Sequence, residues 1–183
     1  MRSRPRHKRD IPPLDAARLD ELALAYVARF AASAAKLETY LKRKLGERGW
    51  AGETEPPVAA IVGRFVSAGY VNDEAYARTK AGSLRRRGYG ERRIAQALDA
   101  AGIASALRED VRGSEGEQRR AALALARRRR FGPWGAIALD RPAREKQLAA
   151  MLRAGHRPDI ARHVVQSADS DGLEQWADEE DGL

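Results

Sequence analysis

The fold is indicated most clearly by residues 70–103, YVNDEAYARTKAGSLRRRGYGERRIAQALDAAGI. Two helices follow each other here, and each is closed by a glycine and a bulky residue. The first can begin with Asn72 as its N-cap and ends at Gly88. The second begins at Glu91, carries apolar side chains on one face and ends at Gly102. The stretch therefore predicts two consecutive amphipathic helices with defined ends.

The same ending recurs along the chain. A helix that ends in a Schellman motif places glycine at C′, where the backbone is left-handed, and an apolar C″ residue that packs on a residue five positions earlier. Trios of an apolar residue, a glycine and a bulky residue follow this spacing, and their recurrence predicts a helical repeat. The predicted structural stops are Gly49, Gly69, Gly88, Gly102 and, with a histidine as a weaker bulky residue, Gly155.

Helical periodicity continues on both sides of this stretch, without the alternation that is typical of strands. Asp15 can cap a first helix that runs to about Ser33, a second follows at once, and Pro56 and Pro57 suit the start of a third. Further along, a short helix covers residues 105–112, and three more are expected before residue 168. The sequence predicts an all-α fold of about nine helices. Its divisions are a disordered basic arm (1–13), three-helix units (14–71, 72–113 and 114–168) and a disordered acidic tail (169–183).

Charge is distributed unevenly along the 183 residues, whose net charge is +8. Residues 169–183 hold seven carboxylates and no lysine or arginine, so the rest of the chain carries 34 basic and 19 acidic side chains, a net charge of +15. A body this basic favours a polyanionic partner, although arginine is also common on solvated helix surfaces. The acidic tail is either solvated or a competitor of nucleic acid for the basic body.

Several classes of function are disfavoured by the composition. With no cysteine and three scattered histidines, we expect no disulfide, no metal site and no cofactor. Neither a GxxxxGK loop nor a nucleophile with a relay partner occurs, so we expect no enzyme. The longest uncharged run, residues 131–139, is far shorter than the ~20 residues of a membrane span, so no membrane contact is expected. The basic N-terminus leads into no apolar signal region, so we expect a cytoplasmic protein. We also expect it to be a monomer.

Three clusters of basic residues are the candidate binding sites. The first surrounds a tight turn, where guanidinium groups suit phosphate contacts and the tyrosine could stack on a base, although we expect that ring to pack on Leu84 in the helix stop. The second lies on one helix, where side chains at ~100° intervals cannot all meet one ligand. The second and third clusters could each be either a binding site or a solvated surface. The candidates are Arg85, Arg86, Arg87, Tyr89, Arg92 and Arg93; Arg127, Arg128, Arg129 and Arg130; and Lys42, Arg43 and Lys44.

These motifs resemble the RecX family of bacterial regulators of the RecA recombinase. The most specific part is residues 69–103, in which a glycine and an aromatic residue, an acidic helix start, the basic GYG turn and a closing glycine–isoleucine pair follow the family's order. Three further segments are similar to the family's flanking repeats: YLKRKLGERGW (40–50), ALARRRRFG (124–132) and QLAAMLRAGHRPDIARHVV (147–165). The basic arm, the acidic tail and residues 52–57, GETEPP, depart from the family's pattern.

The resemblance implies a fold and a function. The fold would be three tandem three-helix units in an elongated, curved all-α body. The function would be that of a non-enzymatic regulator that binds the RecA filament on single-stranded DNA and mainly inhibits its recombinase and ATPase activities, in DNA repair and recombination. The alternative is a stand-alone helical nucleic-acid-binding protein that acts through its basic surface. Salt dependence and the need for RecA separate the two.

Overall fold

This computed structural model describes residues 12–135 and 140–179 of the chain, and their main regular structure is helical. The predicted all-α class is confirmed. These residues contain ten α-helices and one 3-10 helix, where about nine helices were expected. In chain order they are α1 (Ala16–Arg29), α2 (Ala34–Arg48), α3 (Val58–Ser67), α4 (Asp73–Arg86), α5 (Glu91–Asp99), α6 (Ser105–Asp110), α7 (Glu115–Arg129), the 3-10 helix (Gly132–Trp134), α8 (Arg141–Arg153), α9 (Pro158–Gln166) and α10 (Ser170–Asp178).

Contacts divide the chain into two compact units, residues 1–73 and residues 74–183. The first unit packs α1, α2 and α3 around a cluster of buried apolar side chains that includes Leu41. The second unit has two such clusters, one that includes Leu98 and one that includes Met151. The boundary that we predicted near residue 113 falls within this second unit. The division into three units therefore stays a prediction.

Helix starts are fixed by side chains that accept hydrogen bonds from the first turn. The Asp15 carboxylate accepts from the N–H of Arg18 at 2.8 Å, and the Asp140 carboxylate starts α8 in the same way. Ser114 and Glu117 form the predicted capping box at the start of α7. Ser33, where we expected α1 to end, instead caps α2, so α1 is shorter than predicted.

Four of the five predicted glycine stops have Schellman geometry. Their φ angles are positive, from 71° to 96°. The residue after each glycine donates its N–H to the carbonyl five positions earlier, at 3.0 to 3.2 Å. These four are Gly69, Gly88, Gly102 and Gly155. Gly49 also ends its helix, but its ψ of 174° is extended, because Trp50 continues into a short parallel bridge with Leu14.

One further Schellman stop has no glycine. Arg130 ends α7 with φ 56° and ψ 52°, the left-handed conformation. The N–H of Phe131 donates to the Ala126 carbonyl at 2.9 Å, and the N–H of Arg130 donates to Arg127 at 3.2 Å. A side chain with a Cβ costs about 1–2 kcal/mol in this conformation. The helix was expected to end at Arg130, but the glycine pattern does not predict a Schellman stop there because the C′ residue is an arginine.

The acidic tail contains a helix, so the disorder that was expected for residues 169–183 is corrected for residues 169–179, the described part of the tail. The Asp169 carboxylate accepts from the N–H of Asp171 at 3.0 Å and starts α10. Leu173 and Ala177, four residues apart, are both 1% exposed within the cluster under α7 and α9. The tail folds because this apolar pair is buried while its carboxylates face arginines of α7. The proposed arm lies almost wholly in residues 1–11, outside the described residues.

Candidate nucleic-acid interface

The GYG turn joins α4 to α5 through a helix stop. The N–H of Tyr89 donates to the Leu84 carbonyl at 3.1 Å, and the N–H of Gly88 donates to Arg85 at 2.8 Å. The Tyr89 ring is half-buried and packs with the cluster that contains Leu84, as expected. The guanidinium of Arg87 lies 5.7 Å from the centre of this ring. The ring is therefore part of the fold, with one cation above it.

The turn is packed against a second helix stop, the one between α8 and α9. The N–H of Gly90 donates to the Ala154 carbonyl at 3.0 Å, and the N–H of Arg92 donates to the Gly155 carbonyl at 3.2 Å. A Cβ on Gly90 would lie 2.3 Å from the Gly155 carbonyl, so only glycine permits this approach. The buried His156 reaches back to the Gly88 carbonyl. Two turns distant in sequence thus form one junction.

The turn also contacts α7, which carries the second arginine run. A Cβ on Gly88 would lie 2.7 Å from the backbone nitrogen of Leu125. The guanidinium of Arg128 donates to the carbonyl of Arg87 at 2.5 Å. The two arginine runs that the sequence analysis treated separately, residues 85–93 and residues 127–130, therefore meet at this turn.

Arg85 differs from the other arginines of the turn because its charge is paired within the protein. Its guanidinium pairs with the Glu91 carboxylate at 2.6 Å and also donates to the Val111 carbonyl. The side chains of Arg85 and Glu91 are only 13% and 17% exposed. The pair joins the end of α4, the start of α5 and the end of α6. Contrary to the expectation of five available guanidinium groups, Arg85 is thus not free to bind a phosphate.

Three exposed arginines at the turn have neither an ion pair nor a ring contact among the described residues: Arg86, Arg92 and Arg93. Their neighbour Arg112, by contrast, is paired with Glu109 at 3.4 Å. An unpaired guanidinium has all five of its donors available, in a fork that fits a phosphate. These three side chains are the strongest candidates for contacts to a nucleic acid.

The arginines that end α7 have different surroundings. Arg127 pairs with Glu174 and lies 5.5 Å from the centre of the Trp134 ring. Arg128 is held by the Arg87 carbonyl, and Arg130 is in the left-handed stop. Arg129 is exposed and has no ion pair in residues 12–135 and 140–179. The run of four therefore supplies two exposed cations without an ion pair or a side-chain hydrogen bond in the described residues, Arg129 and Arg130.

The cluster on α2 lies in the first compact unit, where its charges are balanced locally. Lys42 pairs with Glu38 at 2.6 Å, and Lys44 pairs with Glu47 at 2.7 Å. Arg43 pairs with the same Glu47. Exposed pairs three or four residues apart on one helix contribute little to stability, and the two carboxylates reduce the net charge of the three cations to +1. The structure thus favours the solvated-surface interpretation of Lys42, Arg43 and Lys44.

A cleft of about 590 Å³ opens beside the junction, between α5 and the start of α9. Its floor is apolar and includes Ile94 and Ile160, and arginines surround it. Arg108, Arg112 and Arg157 were not predicted as site residues, because they are scattered along the chain and only the fold brings them together. The arginines that line the cleft are Arg92, Arg108, Arg112 and Arg157.

Within the described residues, no group of three or more histidine, cysteine, aspartate or glutamate side chains could hold a metal ion. No described helix is long and apolar enough to cross a membrane. The fold and the site define a class: an all-α protein of short helices, with arginines gathered where the helices end.

Comparison with known proteins identifies the family. The family model described as "RecX, second three-helix domain" matches residues 72–111. The Regulatory protein RecX of Myxococcus xanthus is 37% identical over 161 residues, which are 81% of this chain and 84% of that protein. The Regulatory protein RecX of Deinococcus radiodurans is 33% identical over 138 residues, 74% of this chain and 62% of that protein. The chain therefore belongs to the RecX family of regulatory proteins, which confirms the resemblance.

A solved structure supports the fold. The crystal structure of RecX from Lactobacillus salivarius aligns with a TM-score of 0.65 and covers 84% of this chain and 96% of its own. The sequences are 19% identical, so this likeness concerns the fold alone. Both of these relatives are named as regulatory proteins.

Proposed function

We propose that this protein binds the RecA filament on single-stranded DNA in the cytoplasm and restrains its recombinase and ATPase activities. The observation that carries the proposal is the family membership, at 37% identity over 161 residues to a protein named Regulatory protein RecX. The resemblance of residues 69–103 to the family's central motif supports the same function. The protein acts as a monomeric, non-enzymatic regulator of DNA repair and recombination.

The junction of helix stops supports a contact with DNA within that filament. Arg86, Arg92, Arg93 and Arg129 are exposed and without an ion pair among the described residues. Each can contact a phosphate with a charge-assisted hydrogen bond. Four phosphate contacts to a single strand would give a slope of about −3 in a plot of log affinity against log salt.

The competing function is that of a nucleic-acid-binding protein that needs no RecA. The net charge of +15 outside the acidic tail supports it. Such a protein would inhibit RecA only by covering the DNA that RecA needs. A filament regulator would act at concentrations far below those that saturate the DNA, because it binds the filament itself.

The test is a titration of the purified protein into a RecA ATPase reaction stimulated by single-stranded DNA. Binding of the protein to the same DNA is measured in parallel, without RecA and at the same salt concentration. The proposal predicts that hydrolysis falls while most of the DNA is still free of this protein. Hydrolysis that stays constant until the DNA is saturated would support the stand-alone nucleic-acid-binding protein instead.

A further inference from the structure

The acidic helix α10 lies on the basic helix α7 in the second compact unit. Its buried face is small and consists of Leu173 and Ala177, with the half-buried Trp176 beside them. An isolated helix shorter than about 12 residues is marginal in water, so the nine residues of α10 depend on this docking. Folding of α10 and its docking on α7 are thus coupled.

Three arginines of α7 hold α10 in place. The guanidinium groups of Arg119 and Arg120 donate to the last carbonyls of α10, at 2.9 and 3.2 Å. Arg120 also pairs with Asp178 at 3.4 Å, and Arg119 lies 3.9 Å from Glu179. Arg127 pairs with Glu174. Arg119 is also paired within α7, with Glu115 at 2.8 Å. The ion pairs of Arg120 and Arg127 are to α10, so the tail occupies two cations that would otherwise be available to a polyanion.

The docked arrangement leaves one polar group unsatisfied. Arg119 is stacked on the Trp176 ring, with 4.9 Å between its guanidinium carbon and the ring centre. Its Nε is buried and is the one buried side-chain nitrogen or oxygen without a hydrogen-bond partner in the described residues. A buried donor without a partner disfavours the state that buries it. Undocking of α10 would expose this nitrogen to water or to a phosphate.

We propose that the α7 face with Arg119, Arg120 and Arg127 is a second binding surface for single-stranded nucleic acid, and that α10 is a tethered acidic competitor for it. A tethered ligand acts at an effective concentration on the order of millimolar, so a dilute oligonucleotide competes poorly until several phosphates engage together. This inference rests on the nucleic-acid-binding part of the proposed function. It needs no contact with RecA.

The test compares two variants with the same change in net charge. In the α10 variant, Glu174→Gln, Asp178→Asn and Glu179→Gln remove the carboxylates that face the three arginines and keep the apolar contacts. In the control, Glu21→Gln, Glu53→Gln and Glu55→Gln remove three exposed carboxylates of the first unit. Affinity for an oligothymidylate is measured by fluorescence anisotropy over a series of salt concentrations.

The α10 variant should bind several-fold more tightly than the control at low salt. Its salt slope should be steeper by up to about 1.4, because Arg120 and Arg127 lose their ion pairs and each phosphate contact to a single strand contributes about 0.7. Equal affinity and slope in the two variants would overturn the inference. If the parent protein still binds DNA and loses that binding with Arg86→Gln and Arg92→Gln, the proposed function survives that failure. If no form binds DNA, the inference falls, and the RecA ATPase titration alone then decides the proposed function.

Tryptophan fluorination gives a direct readout of docking. The three tryptophans are labelled with 5-fluorotryptophan, and the ¹⁹F signal of Trp176 is assigned by Trp176→Phe. Saturation with oligothymidylate should shift the Trp176 signal, because the ring leaves Arg119 and the His163 ring, whose centre lies 4.4 Å away. An unshifted Trp176 signal in protein that is saturated with DNA would contradict the undocking of α10.

Discussion

The Nε2 atom of His156 lies 3.1 Å from the carbonyl oxygen of Gly88, so a hydrogen bond joins two helix stops that are 68 residues apart in sequence. A carbonyl can only accept, so Nε2 donates the proton. His156 is 6% exposed. Burial lowers the pKa of His156, while the hydrogen bond to Gly88 and the charge of Glu91 raise it.

The first prediction is a pH dependence of stability. Because the pKa of His156 is lowered on folding, the unfolded chain binds this proton more readily than the folded chain does. The stability contributed by neutral His156 is therefore fully present above the ordinary pKa of 6.5 and decreases as the pH falls below it. Urea unfolding at pH 8, 7, 6 and 5 should show this loss. The His156→Gln variant keeps an amide donor but no proton to titrate, so its decline should be shallower; parallel curves would contradict the role of His156.

The second prediction compares two glycines with the same backbone angle. Gly69 and Gly88 have φ values of 77° and 78°. A Cβ on Gly69 would meet nothing within 4 Å, whereas a Cβ on Gly88 would meet the backbone of Leu125 at 2.7 Å. Gly69→Ala should therefore cost only the strain of a left-handed residue, about 1–2 kcal/mol.

Gly88→Ala should cost the same strain and, in addition, about 1–3 kcal/mol for overpacking against α7. Urea or thermal unfolding followed by circular dichroism measures both variants. Equal losses would show that the GYG turn is not pressed against α7.

The two adjacent arginines that end α4 give the third prediction. Arg85→Gln should destabilise the second unit by roughly 2–4 kcal/mol, because it leaves the mostly buried Glu91 carboxylate without its partner. Arg86→Gln, on the exposed side, should change stability by less than about 0.5 kcal/mol. Denaturant unfolding distinguishes the two. A stable Arg85→Gln variant would contradict the structural role of the Arg85–Glu91 pair.

The fourth prediction concerns the strained residue that ends α7. Arg130→Gly relieves a left-handed conformation and should stabilise the protein by about 0.5–1 kcal/mol, less than the full strain because glycine also gives the unfolded chain more freedom. Arg130→Lys keeps the Cβ and should leave stability unchanged. A destabilised glycine variant would show that the Arg130 side chain has contacts that outweigh its backbone strain.

Much of the fold could be predicted from the sequence because glycine and apolar spacing determine how a helix ends. The four Schellman glycines follow directly from residues such as Leu84, Gly88 and Tyr89. Arg130 was not predictable from that rule, since arginine has no preference for a left-handed backbone. Gly49 ends α2 as predicted, but without Schellman geometry, because Trp50 pairs with Leu14, a contact 36 positions away that local spacing does not contain.

The candidate site could be predicted only in part. The sequence locates Arg86, Arg92 and Arg93 at a turn, but it does not show that Arg85 is paired with Glu91. The helix in the acidic tail was missed for a similar reason. A run of carboxylates favours disorder unless opposite charges lie nearby, and Arg119 and Arg127 reach α10 only through the fold.

The most direct test of the account compares matched charge variants in the RecA ATPase titration. Arg86→Gln with Arg92→Gln removes two uncommitted cations at the junction, whereas Lys42→Gln with Arg43→Gln removes two cations that are paired on α2. Both pairs change the net charge equally, and circular dichroism confirms that each variant is folded.

We predict that the junction variant needs roughly tenfold or more protein for half-inhibition, because two charge-assisted hydrogen bonds are lost, while the α2 variant inhibits like the parent. Inhibition by the folded junction variant at the parental concentration would contradict the assignment of the junction as the interface. A parent protein that leaves RecA hydrolysis unchanged at every concentration below DNA saturation would contradict the central claim that the chain is a regulator of RecA.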